Sequence, residues 1–560
     1  MCGIWALFGL DTNLPQQCSS SFTKIKHRGP DAWRIEYDDR LKHGCFGFHR
    51  LAIVDSLHGM QPMKIHQYPH QLLLCNGELY NYKELRAQFG FEFETKCDVE
   101  IILHLYNHGG IENVVKNLDG VFCFILVDLQ KQKVFIGRDP YGVRPGFRLY
   151  SEGAGVLGIC SEAKGLISIT KEMNGNKWVL EPFPPSTFEE YDLNDEGSAK
   201  LSRREKYYNI GDRPAFVPFI PYESLSSTDV HHNIRALLTQ SCKKRLMAER
   251  RIGCLLSGGL DSSLIAALTL KLAKEANLPY TIQTFAIGMG DSPDIIAARQ
   301  VAKHIGSDHH EIIFTEDDVK QILDDVIYSL ETPDITTIRA SVGMYIIARY
   351  ILKNTNTRVL LSGEGADELG QGYIYFRDAP SPDAGHEESL RLLKDIYMYD
   401  GLRADRTTSA HSLELRVPFL DLQFTSYYLS LSKEMRQPQK GIEKHLLRSA
   451  FDYDNLLPHN ILWRHKEAFS DGVASVKKSL FQIIQEIIDS RISEFCENTI
   501  AKQYTHCTPK TKEQLYYRQK FEEFYPDQIT SFCPYFWMPK WINVTDPSAR
   551  FISHYAADKE

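Results

Sequence analysis

The chain has 560 residues, 43% hydrophobic and 24% charged, with a formal net charge of −8. That length exceeds a single hydrophobic core and implies about three or four domain-sized units. A mildly acidic chain without a long basic run argues against non-specific binding to nucleic acid or to an anionic membrane. Twelve cysteines, none in a Cys-x-x-Cys pair, fit reduced thiols in the cytosol better than a disulfide framework or a zinc site. The opening Met-Cys-Gly-Ile-Trp lacks a basic n-region, so no signal peptide is expected. No stretch offers about 18 uninterrupted apolar residues, so no membrane helix is expected.

Short strand patterns fill the first 200 residues: Trp5–Phe8, Cys45–Phe48, Leu72–Cys75, Val121–Val127 and Val134–Gly137. Glycine and proline clusters separate them. One helical pattern, Val99–Tyr106, lies among them. This predicts a mostly antiparallel domain with covering helices. Cys2 stands out, because removal of the initiator methionine would give one residue both a thiol and a free α-amine to act as its base. Taken alone, a cysteine at position 2 is usually without significance. A proline-rich stretch follows at Pro182–Pro185, and residues 196–230 are polar with few periodic features. The domain boundary is expected near 205–215, giving domains of 2–208 and 209–560.

The second domain opens on an apolar strand pattern that begins at Arg251 and runs into Ser257-Gly-Gly-Leu-Asp-Ser-Ser263. An amphipathic helix from Leu260 to Ala276 follows. Strand, glycine turn and helix start form an anion site, since the glycines let backbone N–H groups approach a phosphate. The run lacks the Gly-Lys-Ser/Thr ending of a Walker A loop. Strands at Gln283–Ile287, His310–Phe314 and Arg358–Leu361 alternate with helices at Asp294–Ile305, Val319–Leu330 and Ala340–Leu352. That alternation predicts a parallel sheet with helices on both faces. Ligands of such sheets bind beyond the carboxyl ends of the strands. The Ser-Gly-Gly loop, Ile287-Gly288 and Ser362-Gly-Glu-Gly-Ala-Asp-Glu368 all lie at such ends. The last of these could be a solvated acidic loop. Beside a phosphate loop its carboxylates suit Mg²⁺, which takes carboxylate and phosphate oxygens together. Asp261 and Asp367 are the candidate metal ligands.

Two resemblances sharpen this reading. His27-Arg-Gly-Pro-Asp31, His49-Arg-Leu-Ala-Ile-Val-Asp55, Gly59-Met-Gln-Pro62, Asn76-Gly-Glu-Leu-Tyr-Asn81, Asp98-Val-Glu100, Leu118-Asp-Gly120 and Gly137-Arg-Asp-Pro-Tyr-Gly-Val-Arg-Pro145 follow Met-Cys-Gly-Ile in order. The series resembles the glutaminase domain of class II, N-terminal nucleophile, glutamine amidotransferases. The resemblance implies an α+β N-terminal nucleophile sandwich in which Cys2 attacks glutamine. It implies an oxyanion hole of Asn76 and the Gly77 N–H, worth about 10²–10³ in rate. Arg50 would hold the glutamine α-carboxylate, the loop Leu51, Ala52, Ile53 and Val54 would line the pocket, and Glu78 and Asp98 would meet the α-ammonium. Read in isolation, Arg50 and Asp98 would each suit a surface ion pair.

Ser257-Gly-Gly-Leu-Asp-Ser-Ser263 resembles the pyrophosphate loop of ATP pyrophosphatases. With Arg403-Ala-Asp-Arg406, Glu414-Leu-Arg-Val-Pro-Phe-Leu-Asp421, Gly441-Ile-Glu-Lys444, Trp463–Gly472, Trp537-Met-Pro-Lys-Trp541 and Asp546-Pro-Ser-Ala-Arg550, the whole chain resembles the glutamine-hydrolysing asparagine synthetases of animals. This implies an α/β parallel-sheet domain. Ser257, Gly258, Gly259, Asp261 and Ser262 would hold the pyrophosphate, Leu255, Ile287, Ser362 and Gly363 would contact the nucleotide, and Lys466 would neutralise phosphate charge. Glu364 would serve formation of an aspartyl adenylate. Glu331–Ser341 would bind aspartate, with Arg339 and Ser341 as candidates beside Glu364. The resemblance also implies Mg²⁺ with ATP, a cytosolic homodimer, and no nucleic-acid or membrane partner. Two alternatives stay open: a related amidotransferase acting on another carboxylate, and a non-catalytic nucleotide-binding homologue. The latter would be expected to have lost Cys2, Asp261 or Glu364.

Overall fold

A computed structural model describes residues 1–10, 14–172, 177–466, 473, 479–544 and 546–547. The later part of the Trp463–Gly472 motif and residues 548–550 lie outside the described residues. The chain divides into two compact units. One holds residues 1–217 with 247–250 and 409–413, and the other holds 218–246, 251–408 and 414–560.

The first unit is a sandwich of two antiparallel sheets. One sheet has six strands, in the order Ala32–Tyr37, Cys45–Arg50, Gly3–Phe8, Val156–Cys160, Phe147–Ser151, Val179–Pro182. The other has five, in the order Ala199–Lys206, Thr187–Leu193, Lys133–Arg138, Gly120–Asp128, Gln71–Leu79. Side chains alternate across a strand, and this alternation builds two cores. Leu72 and Leu74 join Ile4, Ala6, Phe46, Phe48, Ile125 and Val127 between the sheets. Leu73 and Cys75 turn the other way, onto Ile101, Ile102, Leu105 and Tyr106 of helix Ile101–Asn117. A strand buried on both faces reads as an unbroken apolar run, which is why Leu72–Cys75 and Val121–Val127 are visible in the sequence.

The second unit carries a five-stranded sheet, all parallel, in the order Asp308–Ile313, Gln283–Gly288, Arg251–Leu255, Thr357–Leu361, Glu414–Arg416. The first of these in sequence, Arg251–Leu255, therefore sits centrally, with later strands laid down on either side. That is a topological switch point, and its carboxyl end is where ligands of such sheets bind. The helix Ile335–Asn354 has a mean hydropathy of 1.2 over an 18-residue window and passes the length test for a membrane span. The sequence expectation, framed on uninterrupted apolar runs, did not single it out. It packs as a core helix, with 67% of that window buried. Its start is fixed by Asp334, whose carboxylate accepts the Thr337 N–H at 2.9 Å, an N-cap.

Candidate active sites

Cys2 lies in the first unit at the head of strand Gly3–Phe8. Its thiol is 3.6 Å from the Leu51 carbonyl, and Arg28 Nε donates to the Cys2 carbonyl at 3.0 Å. Met1 precedes it and is 1% exposed. The α-amine of Cys2 becomes a base only once that peptide bond is cut.

Asn76 is fully buried on strand Gln71–Leu79, and neither Nδ2 nor Oδ1 of its amide has a hydrogen-bond partner. An unpaired buried amide costs about 1–3 kcal/mol, so this one is suited to a ligand. The next residue must be glycine, because a Cβ on Gly77 would lie 2.6 Å from the Val121 carbonyl. Arg50 is buried, and its guanidinium donates to the Asp55 carbonyl and, at 3.2 Å, to that of Ser56. Asp55 organises that turn by accepting the backbone N–H groups of His58 and Lys96. Ala52 N–H reaches Asp31 Oδ2 at 2.8 Å, which anchors the loop Leu51–Val54. Asp98 accepts the Leu79 N–H at 2.7 Å and is buried, as is Glu78.

In the second unit a cavity of about 180 Å³ opens beyond the central strand. Its walls include Leu255, Ser257, Gly259, Asp261, Ser262, Ile287, Ser362, Gly363, Glu364, Asp367 and Lys466, so motifs more than 200 residues apart meet there. The loop is shaped by hydroxyls: Ser257 N–H donates to Ser262 Oγ at 3.1 Å, and Ser257 Oγ lies 3.0 Å from the same atom. Gly258 has φ +75°, and a Cβ there would stand 2.5 Å from the Ala298 N. Gly258→Ala is therefore expected to cost about 1–3 kcal/mol and to raise the KM for ATP about tenfold or more, with glutaminase activity unchanged. An ATP KM within twofold of the parent's, about 0.4 kcal/mol, would remove this glycine from the site.

The charges of the cavity are interlocked. Lys444 Nζ donates to Asp261 Oδ2 at 2.5 Å and to Asp367 Oδ1 at 2.6 Å. Lys466 Nζ donates to Asp367 Oδ2 at 2.5 Å. Burial alone would raise the Asp367 carboxyl, but the two ammonium groups outweigh it and hold the carboxyl well below its ordinary range. Burial likewise opposes the charge on Lys466, and Asp367 and Asp261 overcome it. Glu364 accepts from Arg403 Nη2 at 2.9 Å, and the same nitrogen reaches Asp400 Oδ1 at 2.6 Å. Burial pushes the Glu364 carboxyl up to about 7; Arg403 opposes the rise, while Asp400 and Asp367 add to it.

Asp261 Oδ1 is buried without a partner and faces this cavity. A free carboxylate oxygen beside a phosphate loop fits Mg²⁺. Both oxygens of Asp367 are engaged by lysines, so it would bind the ion only as a shared carboxylate. Among the described residues no group of three or more His, Cys, Asp or Glu side chains is arranged for a metal on its own, and the phosphates would complete the shell.

Two candidates are placed elsewhere. Arg339 is read from the sequence as a holder of the aspartate carboxylate, but Glu513 and Asp546 take its guanidinium in four contacts of 2.7–2.8 Å. Ser341 Oγ donates back to the Thr337 carbonyl at 2.6 Å. Neither lines the cavity; Met344 and Ile347 of the same helix do. Arg339 is corrected to a structural residue, since two carboxylates already hold its guanidinium. Lys444, Arg403, Arg448 and Arg464 enter the cavity wall without having been given roles from sequence. The one available signal was that Lys444 and Arg403 lie in the quoted motifs Gly441–Lys444 and Arg403–Arg406.

A family profile described as Asparagine synthase matches residues 233–384 and 377–543. One described as Glutamine amidotransferase domain matches residues 1–183. The chain is 55% identical over 559 residues to Asparagine synthetase [glutamine-hydrolyzing] of Gallus gallus, covering 99% of each chain. The protein of that name from Homo sapiens is also 55% identical over 559 residues, again with 99% of each chain covered.

Proposed function

Because the chain belongs to the asparagine synthetase family, we propose how its two units divide one overall reaction. The enzyme is a glutamine-hydrolysing carbon–nitrogen ligase. It converts ATP, aspartate, glutamine and water into AMP, diphosphate, asparagine and glutamate. The residue assignment rests on one observation: the Ser257–Ser262 loop, Glu364 and the Asp367–Lys444–Lys466 cluster converge on one cavity at the switch point of a parallel sheet.

In the first unit, the thiolate of Cys2 adds to the side-chain amide of glutamine. Its own α-amine, freed by loss of Met1, takes the proton and passes it to the departing ammonia. The Asn76 amide N–H and the Gly77 N–H receive the oxyanion. Arg50 pairs with the α-carboxylate of glutamine, and Asp98 and Glu78 face its ammonium. Water then resolves the thioester to glutamate.

In the second unit, the backbone of Ser257, Gly258 and Gly259 and the hydroxyl of Ser262 grip the β- and γ-phosphates. Leu255, Ile287, Ser362 and Gly363 seat the nucleotide. The β-carboxylate of aspartate attacks the α-phosphorus, and diphosphate leaves toward Lys444 and Lys466. Bound with ATP at Asp261 and shared by Asp367, Mg²⁺ would supply countercharge for the departing diphosphate. A free carboxylate has oxide as its leaving group and resists ammonia; the adenylate has AMP instead. Glu364 stands at the reacting carboxyl and accepts the proton that ammonia sheds as the amide forms. A chain whose twelve cysteines are all free thiols suits the reducing cytosol, and a homodimer belongs to the same proposal on family likeness.

The experiment is direct. Purified protein with glutamine, ATP, Mg²⁺ and aspartate is expected to release AMP, diphosphate and asparagine in equal amounts. ADP and phosphate in their place, or amidation of a different carboxylate in a competition mixture, would overturn the assignment.

A further inference from the structure

The second unit contains a pair of thiols that the reaction does not use. Cys507 is half-buried, has φ +49°, and points its Sγ at the Cys533 carbonyl, 3.4 Å away. Cys533 is buried, with its Sγ 3.4 Å from the Tyr535 carbonyl. The Cys507 thiol thus lies against the main chain of the residue that carries the second thiol. Nearby, Arg518 Nη1 donates to the His506 carbonyl at 2.7 Å, and a nitrogen of the His506 ring lies 2.9 Å from the Cys533 carbonyl.

The chain beyond Cys533 leads to the synthetase cavity. The Trp537 N–H donates to Asp334 Oδ1 at 2.8 Å, and the Trp537 ring packs on Tyr373 at 5.4 Å between centroids. The Tyr373 hydroxyl contacts Glu368 at 2.7 Å and Asp400 at 3.1 Å. Asp400 shares Arg403 with Glu364. The segment from Cys533 to Trp537 is thus a brace for the group that positions Glu364.

We propose that Cys507 and Cys533 form a reversible disulfide under peroxide, and that this bond slows the aspartate half-reaction by shifting that brace. The effect on rate rests on the reading of Glu364 given above; the bond itself does not.

The chemistry balances with hydrogen peroxide as oxidant. The Cys507 thiolate attacks one peroxide oxygen, the O–O bond breaks, and water leaves after protonation, giving a sulfenic acid. The Cys533 thiol then attacks that sulfur and a second water leaves. Two thiols and one peroxide yield one disulfide and two waters, with two electrons passing from sulfur to oxygen. The two cysteines suit different parts. The Cys533 hydrogen bond lowers the Cys507 thiol to about 7 against an opposing burial, and His506 and Arg518 add to the lowering. Cys533, hydrogen-bonded to Cys507 and buried, is held well above its usual value. An accessible thiolate next to a protonated resolving thiol is the arrangement that oxidises to a disulfide rather than onward. Bond formation draws the sulfurs to about 2.05 Å. That takes Cys533 Sγ off the Tyr535 carbonyl and so moves the brace.

Full-length enzyme treated with a few equivalents of hydrogen peroxide, then alkylated and digested, is expected to yield a peptide linking Cys507 to Cys533, lighter by about 2 Da. Ammonia-dependent asparagine synthesis, which bypasses Cys2, is expected to fall at least about threefold and to return with dithiothreitol. Cys507→Ser and Cys533→Ser are each expected to keep their rate through the same treatment. Oxidation of Cys507 with no cross-link would overturn the disulfide. A cross-link with an unchanged rate would overturn the brace. Failure of the reduced protein to make asparagine at all would instead strike the functional reading.

Discussion

Cys2→Ala is expected to lower glutamine-dependent asparagine synthesis by on the order of 10³-fold or more, while synthesis from added ammonia stays within about twofold of the parent's. The nucleophile cannot be replaced from nearby. Cys75 and Cys97 are held well above the usual thiol range, chiefly by burial, and burial pushes Cys123 up to about 12. None of them joins a thiol to a free α-amine. Among the described residues the synthetase cavity is lined by residues 255–466, so removing the Cys2 sulfur leaves that lining intact. The measurement is asparagine formed with each nitrogen donor, in parallel, from one preparation. Loss of both activities in a folded protein would end the division of the reaction into two sites.

How much of the molecule is legible in its sequence depends on how far apart the interacting parts lie along the chain. Strands buried on both faces, such as Gly120–Asp128, carry unbroken apolar runs and are seen at once. Ala32–Tyr37 and Ala199–Lys206 are edge strands with mixed exposure, and their polar outer positions hide them. The helix expected over Val99–Tyr106 continues to Asn117 through a kink at Gly109 and Gly110, where the glycine pair interrupts the periodic signal. The glycine turn between strand Arg251–Leu255 and helix Leu260–Glu275 is local, so the turn at residues 257–262 could be read directly. Lys444 could not, since its two carboxylate partners stand 183 and 77 residues away. Arg339 failed in the opposite sense. Its local motif suggests a ligand, but its partners Glu513 and Asp546, 174 and 207 residues on, already hold the guanidinium through all three of its nitrogens. A sequence motif can locate a charge, but whether that charge is free for substrate depends on distant chain.

Glu364→Gln is expected to suppress asparagine formation by on the order of 10²–10⁴-fold, the range of a lost acid–base group, with glutaminase activity spared. Glutamine keeps the size of the side chain and an oxygen for Arg403, so the loss reports on the carboxylate. In the parent enzyme the carboxyl sits near 7, and only its ionised form accepts a proton. At constant free ammonia the rate of asparagine formation is therefore expected to rise about tenfold per pH unit below 7 and to level off above it; a flat profile from pH 6 to 8 would take Glu364 out of the proton transfer. Stability runs the other way. The folded value exceeds the ordinary 4.5, so the native state binds more protons than the unfolded chain between about pH 4.5 and 7. The contribution of this carboxyl to stability is complete below about 4.5 and is lost as pH rises through 7. Thermal melts of Glu364→Gln are accordingly expected to fall less steeply over that window than those of the parent. An active site that gains its base where the fold gives up stability has the signature of a group placed for chemistry rather than for packing.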